Sequence, residues 1–269
     1  MPLPDPASPF DVLCTPESLA PGRARIAIPE TWNQGRGAFG GLVASILVRA
    51  LEASAPDRPL RSLTCELCGP TLPGEAALEL DVLRAGSGVT TTAIRLVQGG
   101  EVQAHGVGVL GRARGAGTDR VDVAAPAMPP WRDAPVRGMT AFDGPAFAQH
   151  VEFRSTGPRP FGGAPAGLVE GWIRLVNPGE RRDAAYLAGC IDAYWPTLYS
   201  TFTAVRPMAT IAFTFQPLVA DAPPLGDEPL FFRARLVASH AGYCVELREL
   251  WTADGRLVAL NQQTMVVIK

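Results

Sequence analysis

The chain has 269 residues, 47% of them apolar, and its 24 Lys and Arg against 26 Asp and Glu leave a net charge of −2. That is enough apolar material for a large buried core, which excludes general disorder, and the lack of a basic excess speaks against a binder of nucleic acid or of anionic membranes. The longest apolar run, Leu42 to Val48, stops at Arg49, far short of the roughly 20 residues that span a bilayer. With no leader-like pattern in Met1-Pro-Leu-Pro-Asp-Pro6 and an odd count of five cysteines, the expectation is a cytoplasmic protein with reduced thiols.

Taken in chain order, a strand at 22–28 leads through Pro29 and Trp32 to Gly35-Arg-Gly-Ala-Phe-Gly-Gly41 and then to a helix. Leu42, Val43, Ile46, Leu47, Ala50 and Leu51 give that helix one broad apolar face, and Ala44, Ala53 and Ala55 keep the rest slim enough to be closely surrounded. Strands are predicted at 60–68, 75–84, 89–98 and 101–110, with turns at Gly86-Ser-Gly88 and Gly99-Gly100 short enough for hairpins. The stretch from Arg112 to Gly144 lacks periodicity and reads as a linker. Beyond it the order repeats: strand regions at 147–154 and 168–175, a short helix from about 182 to 193, and strands at about 207–216, 229–238, 242–252 and 256–268. Residues 88–104 parallel 242–259 position by position, with one extra residue in the second turn, so the chain is a duplication. The predicted units are 1–111, a linker 112–144, and 145–269.

One helix followed by four antiparallel strands, twice over, is the order of an α+β tandem hotdog, in which each curved sheet wraps a central helix. Trp32, Gly40-Gly41, the small-residue helix, Pro70, Leu83-Arg84 and Gln98 resemble the first half of the double-hotdog acyl-CoA thioesterases of type II. Asp192 closing the second helix, the strand Met208 to Gln216, Gly242-Tyr243 and Asp254 to Gln263 are similar to that family's second half. The resemblance implies an acyl-CoA substrate, hydrolysis by activated water without an acyl-enzyme, no metal or cofactor beyond the coenzyme A of the substrate, and a homo-oligomer.

Asp192 stands at the C-terminal end of an apolar helix, where the dipole disfavours a carboxylate and poor solvation raises its pKa. Read locally, it is either a turn-capping Asp or a functional acid. The resemblance implies the second, with Thr210 and Gln263 holding the hydrolytic water beside it. Pleating assigns Leu257, Ala259, Asn261, Gln263, Met265 and Val267 to one face; Gln262 competes with Gln263, since one residue of register exchanges them. Thr214 is expected on the face of Thr210, with Ser62 and Thr64 as first-half relatives. Gly40 and Gly41, at a helix N-terminus, are candidate oxyanion donors, and Phe39, Tyr194, Trp195 and Tyr199 candidate walls of an acyl tunnel. Arg84, Arg174, Arg181, Arg182 and Arg206 are candidates for coenzyme A phosphates. Because the first half offers no acid matching Asp192, only one of the two pseudo-equivalent sites is expected to work.

Other patterns carry less. Gly35 to Gly40 matches G-x-G-x-x-G but lacks the strand before it and the crossover helices after it. Cys65 and Cys68 lie three apart in a strand and so point to opposite faces. A hotdog hydratase would need His105 beside a carboxylate, and a non-catalytic acyl-thioester binder would leave Asp192 alone in solvent. No G-x-S-x-G serine elbow is present.

Overall fold

Alternation of buried and exposed residues along the predicted strands resolves, in a computed structural model describing residues 8–115, 119–136, 144–219 and 225–268, into one antiparallel sheet. The first half contributes α1 (Phe10–Leu13), β1 (Glu17–Ala20), β2 (Arg23–Ile28), a two-residue ladder β3 (Asn33–Gln34) and β4 (Gly37–Ala38), α2 (Gly40–Ser54), β5 (Leu60–Leu67), β6 (Gly74–Ala85), β7 (Val89–Gln98) and β8 (Glu101–Gly111). The second contributes β9 (Val151–Ser155), β10 (Leu168–Leu175), α3 (Ala184–Asp192), α4 (Leu198–Thr201), β11 (Met208–Pro217), β12 (Leu230–His240), β13 (Tyr243–Trp251) and β14 (Leu257–Val267). The predicted strands and both long helices are present within a few residues of their expected bounds. The region expected as a strand from 147 opens instead as a 3-10 turn over 146–150, and α1, β1 and α4 were too short to leave a periodic signal. Among the described residues no helix is long and apolar enough to cross a membrane.

Strand order is β1-β2-β6-β7-β8-β5-β11-β14-β13-β12-β10-β9, so the second half repeats the first in reverse and the two join edge to edge at β5 and β11. Across that seam Leu63 faces Phe215, Thr64 faces Thr214 and Cys65 faces Phe213, a symmetric register that places the pseudo-dyad between the two threonines. Each half-sheet packs on its own helix, and α2 and α3 pack side by side, giving the tandem hotdog architecture. Helix α2 is buried almost throughout, and Pro56 ends it by excluding helical geometry from the residue before it.

Three bulges, each one inserted residue, occur in both halves at matching places: Arg61 and Ile211, Leu83 and Val237, Gln103 and Val258. An inserted residue breaks the period of two and re-aims every side chain beyond it. The face assignments read from strict alternation are corrected accordingly. Ile211 turns Thr210 inward with Phe213 and Phe215, while Thr214 stays on the other face. Val258 likewise sends Leu257 to the outer face, where it packs with Trp172, Phe231 and Trp251, while Ala259 remains inside. The bulges also set the correspondence between halves: Leu60, rather than Ser62 or Thr64, is the counterpart of Thr210, and Gly106 and Gly108 are the counterparts of Asn261 and Gln263.

Within the expected linker, 119–136 has no helix or strand and is largely exposed, but its second part is anchored to the sheet. Met128, Trp131 and Ala134 cover the outer aromatic cluster of the second half, Trp172 Nε1 donates to the Pro129 carbonyl at 2.9 Å, and Arg154 donates to the Trp131 carbonyl at 2.9 Å. Residues 116–118 and 137–143 of that linker lie outside the described residues.

Candidate active site

Helix α2 begins without a side-chain cap of its own, because the residue before it is Phe39. Its N-terminal amides meet a carboxylate from the other half instead. Asp192, the last residue of α3, is 9% exposed and accepts a hydrogen bond from the Gly41 amide. The approach is possible only because the first turn is Gly-Gly: a Cβ on Gly40 would lie 2.8 Å from Asp192 Oδ2, and one on Gly41 would lie 3.0 Å from Asp192 Cβ.

The opposite wall is β14. Gln263 is fully buried and Gln262 exposed, which settles the register between them. Gln263 Nε2 donates to Asp192 Oδ1 at 2.8 Å and to Asn261 Oδ1 at 2.9 Å, while Gln263 Oε1 accepts from Thr210 Oγ1 at 2.8 Å. Asn261 Nδ2 donates in turn to the Thr214 carbonyl at 2.8 Å. Both donors and the acceptor of the Gln263 amide are therefore used, and its orientation is fixed. Thr210 reaches this chain through the Ile211 bulge, and the expected trio Asp192, Gln263 and Thr210 is brought together.

Burial dominates the electrostatics of Asp192. Desolvation pushes its pKa up to about 6, against the pull of the Arg248 guanidinium and the Gln263 hydrogen bond. A carboxylate with a pKa near 6 is mostly ionised at neutral pH, yet basic enough to take a proton from water.

Sequence reasoning gave no role to three residues here. Pleating puts Asn261 on the face of Gln263 without assigning it a partner, and Glu246 and Arg248 carry no motif. Both lie on the inward face of β13 between Cys244 and Leu250 and are buried with them. Opposite charges two apart on an otherwise apolar strand face were the available signal.

Phe39 stacks on Phe147 at 4.0 Å, and Tyr194 stacks on Phe232 and donates to the Trp172 carbonyl at 3.0 Å, so both serve core packing. Trp195 is half-buried against Tyr194, and Tyr199 packs on Phe161. Of the candidate phosphate ligands, Arg174 and Arg182 line a cavity of about 260 Å³ with Tyr186, but pair with Glu152 and Asp227. Arg181 donates to Thr15, and Arg206 lies over the Phe202 ring. His105 does meet a carboxylate, Glu66 at 3.2 Å, on the solvent-exposed face of the sheet rather than beside the helices. Cys65 is buried within β5, and Cys68, one residue beyond the end of that strand, is exposed.

Comparison with known proteins gives matches over most of the chain. Residues 28–111 match the acyl-CoA thioesterase N-terminal domain and residues 119–267 the acyl-CoA thioesterase C-terminal domain. A conserved protein of unknown function with a hot dog fold from Alicyclobacillus acidocaldarius is 23% identical with a TM-score of 0.88, covering 97% of this chain and 98% of that one. A tesB protein from Mycobacterium avium subs paratuberculosis is 13% identical with a TM-score of 0.80, covering 97% and 98%. The acyl-CoA thioesterase II TesB2 from Mycobacterium marinum is 18% identical with a TM-score of 0.75, covering 96% of each chain. At these identities the structures establish the shared fold. No curated protein matches the sequence.

Proposed function

This chain belongs to the acyl-CoA thioesterase family, whose two domains it matches in order, and we propose that it hydrolyses an acyl-CoA thioester by direct attack of water activated by Asp192. The observation that carries this reading is the buried Asp192 carboxylate, hydrogen-bonded to Gln263 and set against the Gly-Gly N-terminus of α2. A stability argument alone would not retain an acid there, because its charged form is disfavoured by burial and by the negative end of α3.

In the proposed reaction Asp192 takes a proton from a water held between it and Thr210, and the water oxygen bonds to the thioester carbon. The carbonyl oxygen becomes an oxyanion, stabilised by the amide of Gly40 and the positive end of α2. Gly41 is already committed to Asp192 and orients the base. The intermediate collapses by breaking the carbon–sulfur bond, the proton passes from Asp192 to the departing thiolate of coenzyme A, and the free acid leaves. No residue is acylated, and no metal or further cofactor is called for.

Release of free thiol from short-, medium- and long-chain acyl-CoAs tests the reading directly. Wild type is expected to turn over at least one class, with kcat/KM rising as pH climbs through about 6, and Asp192→Asn is expected to lose about 10²–10⁴-fold. Unchanged turnover in that variant would overturn the role of Asp192. Binding of acyl-CoA without thiol release would favour the non-catalytic alternative.

A further inference from the structure

Behind Asp192, on the side away from α2, lies a buried ion pair that the reaction scheme above leaves unused. Arg248 is 1% exposed and Glu246 fully buried, and Arg248 Nε donates to Glu246 Oε1 at 2.6 Å. The other carboxylate oxygen, Glu246 Oε2, accepts from the Thr197 amide at 2.8 Å and from Thr197 Oγ1 at 2.7 Å. Thr197 follows Pro196 just beyond the end of α3, so the Glu246 carboxylate ties the outgoing chain to β13. Arg248 Nη1 donates to the carbonyls of Ile191 and Asp192 at 3.0 and 3.1 Å and lies 3.5 Å from Asp192 Oδ1. The guanidinium therefore engages both the negative end of α3 and the side chain that closes it, while the Phe232 ring lies 5.7 Å away.

Such an arrangement is costly if it serves only the fold. Burying a charge pair costs several kcal/mol per ion in desolvation, and apolar residues of similar size commonly do as well or better. A carbonyl cap for α3 needs a donor, not a buried Glu behind it. We propose that Arg248, held in place by Glu246, is a positioning residue that fixes the Asp192 carboxylate and sets the charge it carries, and thereby sets the acid limit of catalysis; this rests on the reading of Asp192 as the base.

The charged or titratable groups around Asp192 are few. From β13 come Arg248, which favours the ionised acid, and Glu246, which opposes it; from β5 comes the buried Cys65 thiol, itself pushed up by burial. The residues met from α2 and β14 are Gly40, Gly41 and Gln263, with Thr210 and Asn261 hydrogen-bonded to Gln263, and none of them is ionisable. Glu246 and Arg248 therefore push Asp192 in opposite directions, and neutralising them separately and together should separate their effects.

The test follows the titration of Asp192 by ¹³C NMR of aspartate-labelled full-length protein, its resonance identified by loss in Asp192→Asn, alongside the pH profile of kcat/KM. Glu246→Gln is expected to move the titration and the acid limb down by about one unit. The double variant E246Q/R248Q removes both charges of the buried pair together and retains hydrogen-bonding side chains, so it keeps the best prospect of folding. It is expected to move both up by about one unit, a roughly tenfold loss of kcat/KM at pH 5 with KM unchanged. If Asp192 titrates as in wild type in both variants, the pair is only a structural brace and the proposal falls. If the NMR titration shifts as expected but no acyl-CoA is hydrolysed by any form, the positioning role stands and the thioesterase reading fails.

Discussion

The antiparallel pair α2 and α3 has two ends, and duplication makes them equivalent: Arg49 stands as far along α2 from Gly40 as Asp192 stands along α3 from Asp183. At one end the N-terminus of α2 has no cap of its own and receives Asp192 from the opposite helix. At the other, α3 is capped in cis by Asp183, which accepts from the amides of Ala185 and Tyr186 and forms an ion pair with Arg49. The sheet beneath differs in step. Thr210 and Gln263 at the first end correspond to Leu60 and Gly108 at the second, where the Leu51 side chain fills the space a glutamine would occupy. One end keeps an acid where the fold resists it; the other has turned the same positions into a cap, a salt bridge and apolar packing. The lesson is that fusing two half-sites in one chain frees each to specialise, because a change in one is no longer copied into the other.

Removing the acid at each end should therefore have opposite effects on stability. Asp183→Ala strips the cap from α3 and leaves Arg49 buried without its partner, so thermal or urea unfolding should show a loss on the order of 3 kcal/mol, with turnover per folded molecule unchanged. Asp192→Asn should instead stabilise. A carboxyl whose pKa is raised to about 6 in the folded protein holds its proton there more tightly than in the unfolded chain, so the contribution of Asp192 to stability is fully present below pH 4 and is lost as pH rises through 6. The variant, which has no such charge, should exceed wild type by about 3 kcal/mol at pH 8, and the gap should close toward pH 4; a constant gap would show that ionisation is not its cause. The smallest effect belongs to Gly108→Ala, whose Cβ would sit 2.6 Å from Leu51 Cδ1. Because that contact is the tip of a flexible side chain, a cost of about 1 kcal/mol is expected, again without loss of rate. A fall in kcat there would mean that the second end still takes part in the reaction.

Much of this asymmetry was legible in the sequence, and its hidden parts share a cause. Helix α2, the hairpins and the duplicated order follow from periodicity and glycine turns, and Asp192 betrayed itself by standing where helix energetics reject it. The bulges did not show, because one inserted residue leaves no compositional mark. Thr210 was paired with Thr214 for that reason, when Ile211 in fact separates their faces. Arg248 and Glu246 escaped notice because a charge pair in a strand reads as solvated until the strand's neighbours are known. The anchoring of 128–134 likewise leaves no trace in the sequence, since an irregular segment announces no face to bury.

That segment also decides what light reports about this molecule. Three of the five tryptophans, Trp131, Trp172 and Trp251, meet in the cluster it covers on the outside of the second half. Intrinsic fluorescence is thus weighted toward a surface on the far side of the sheet from Asp192. An emission change during denaturation will register mainly the peeling of this outer layer, and the buried surroundings of Asp192 call for a probe of their own.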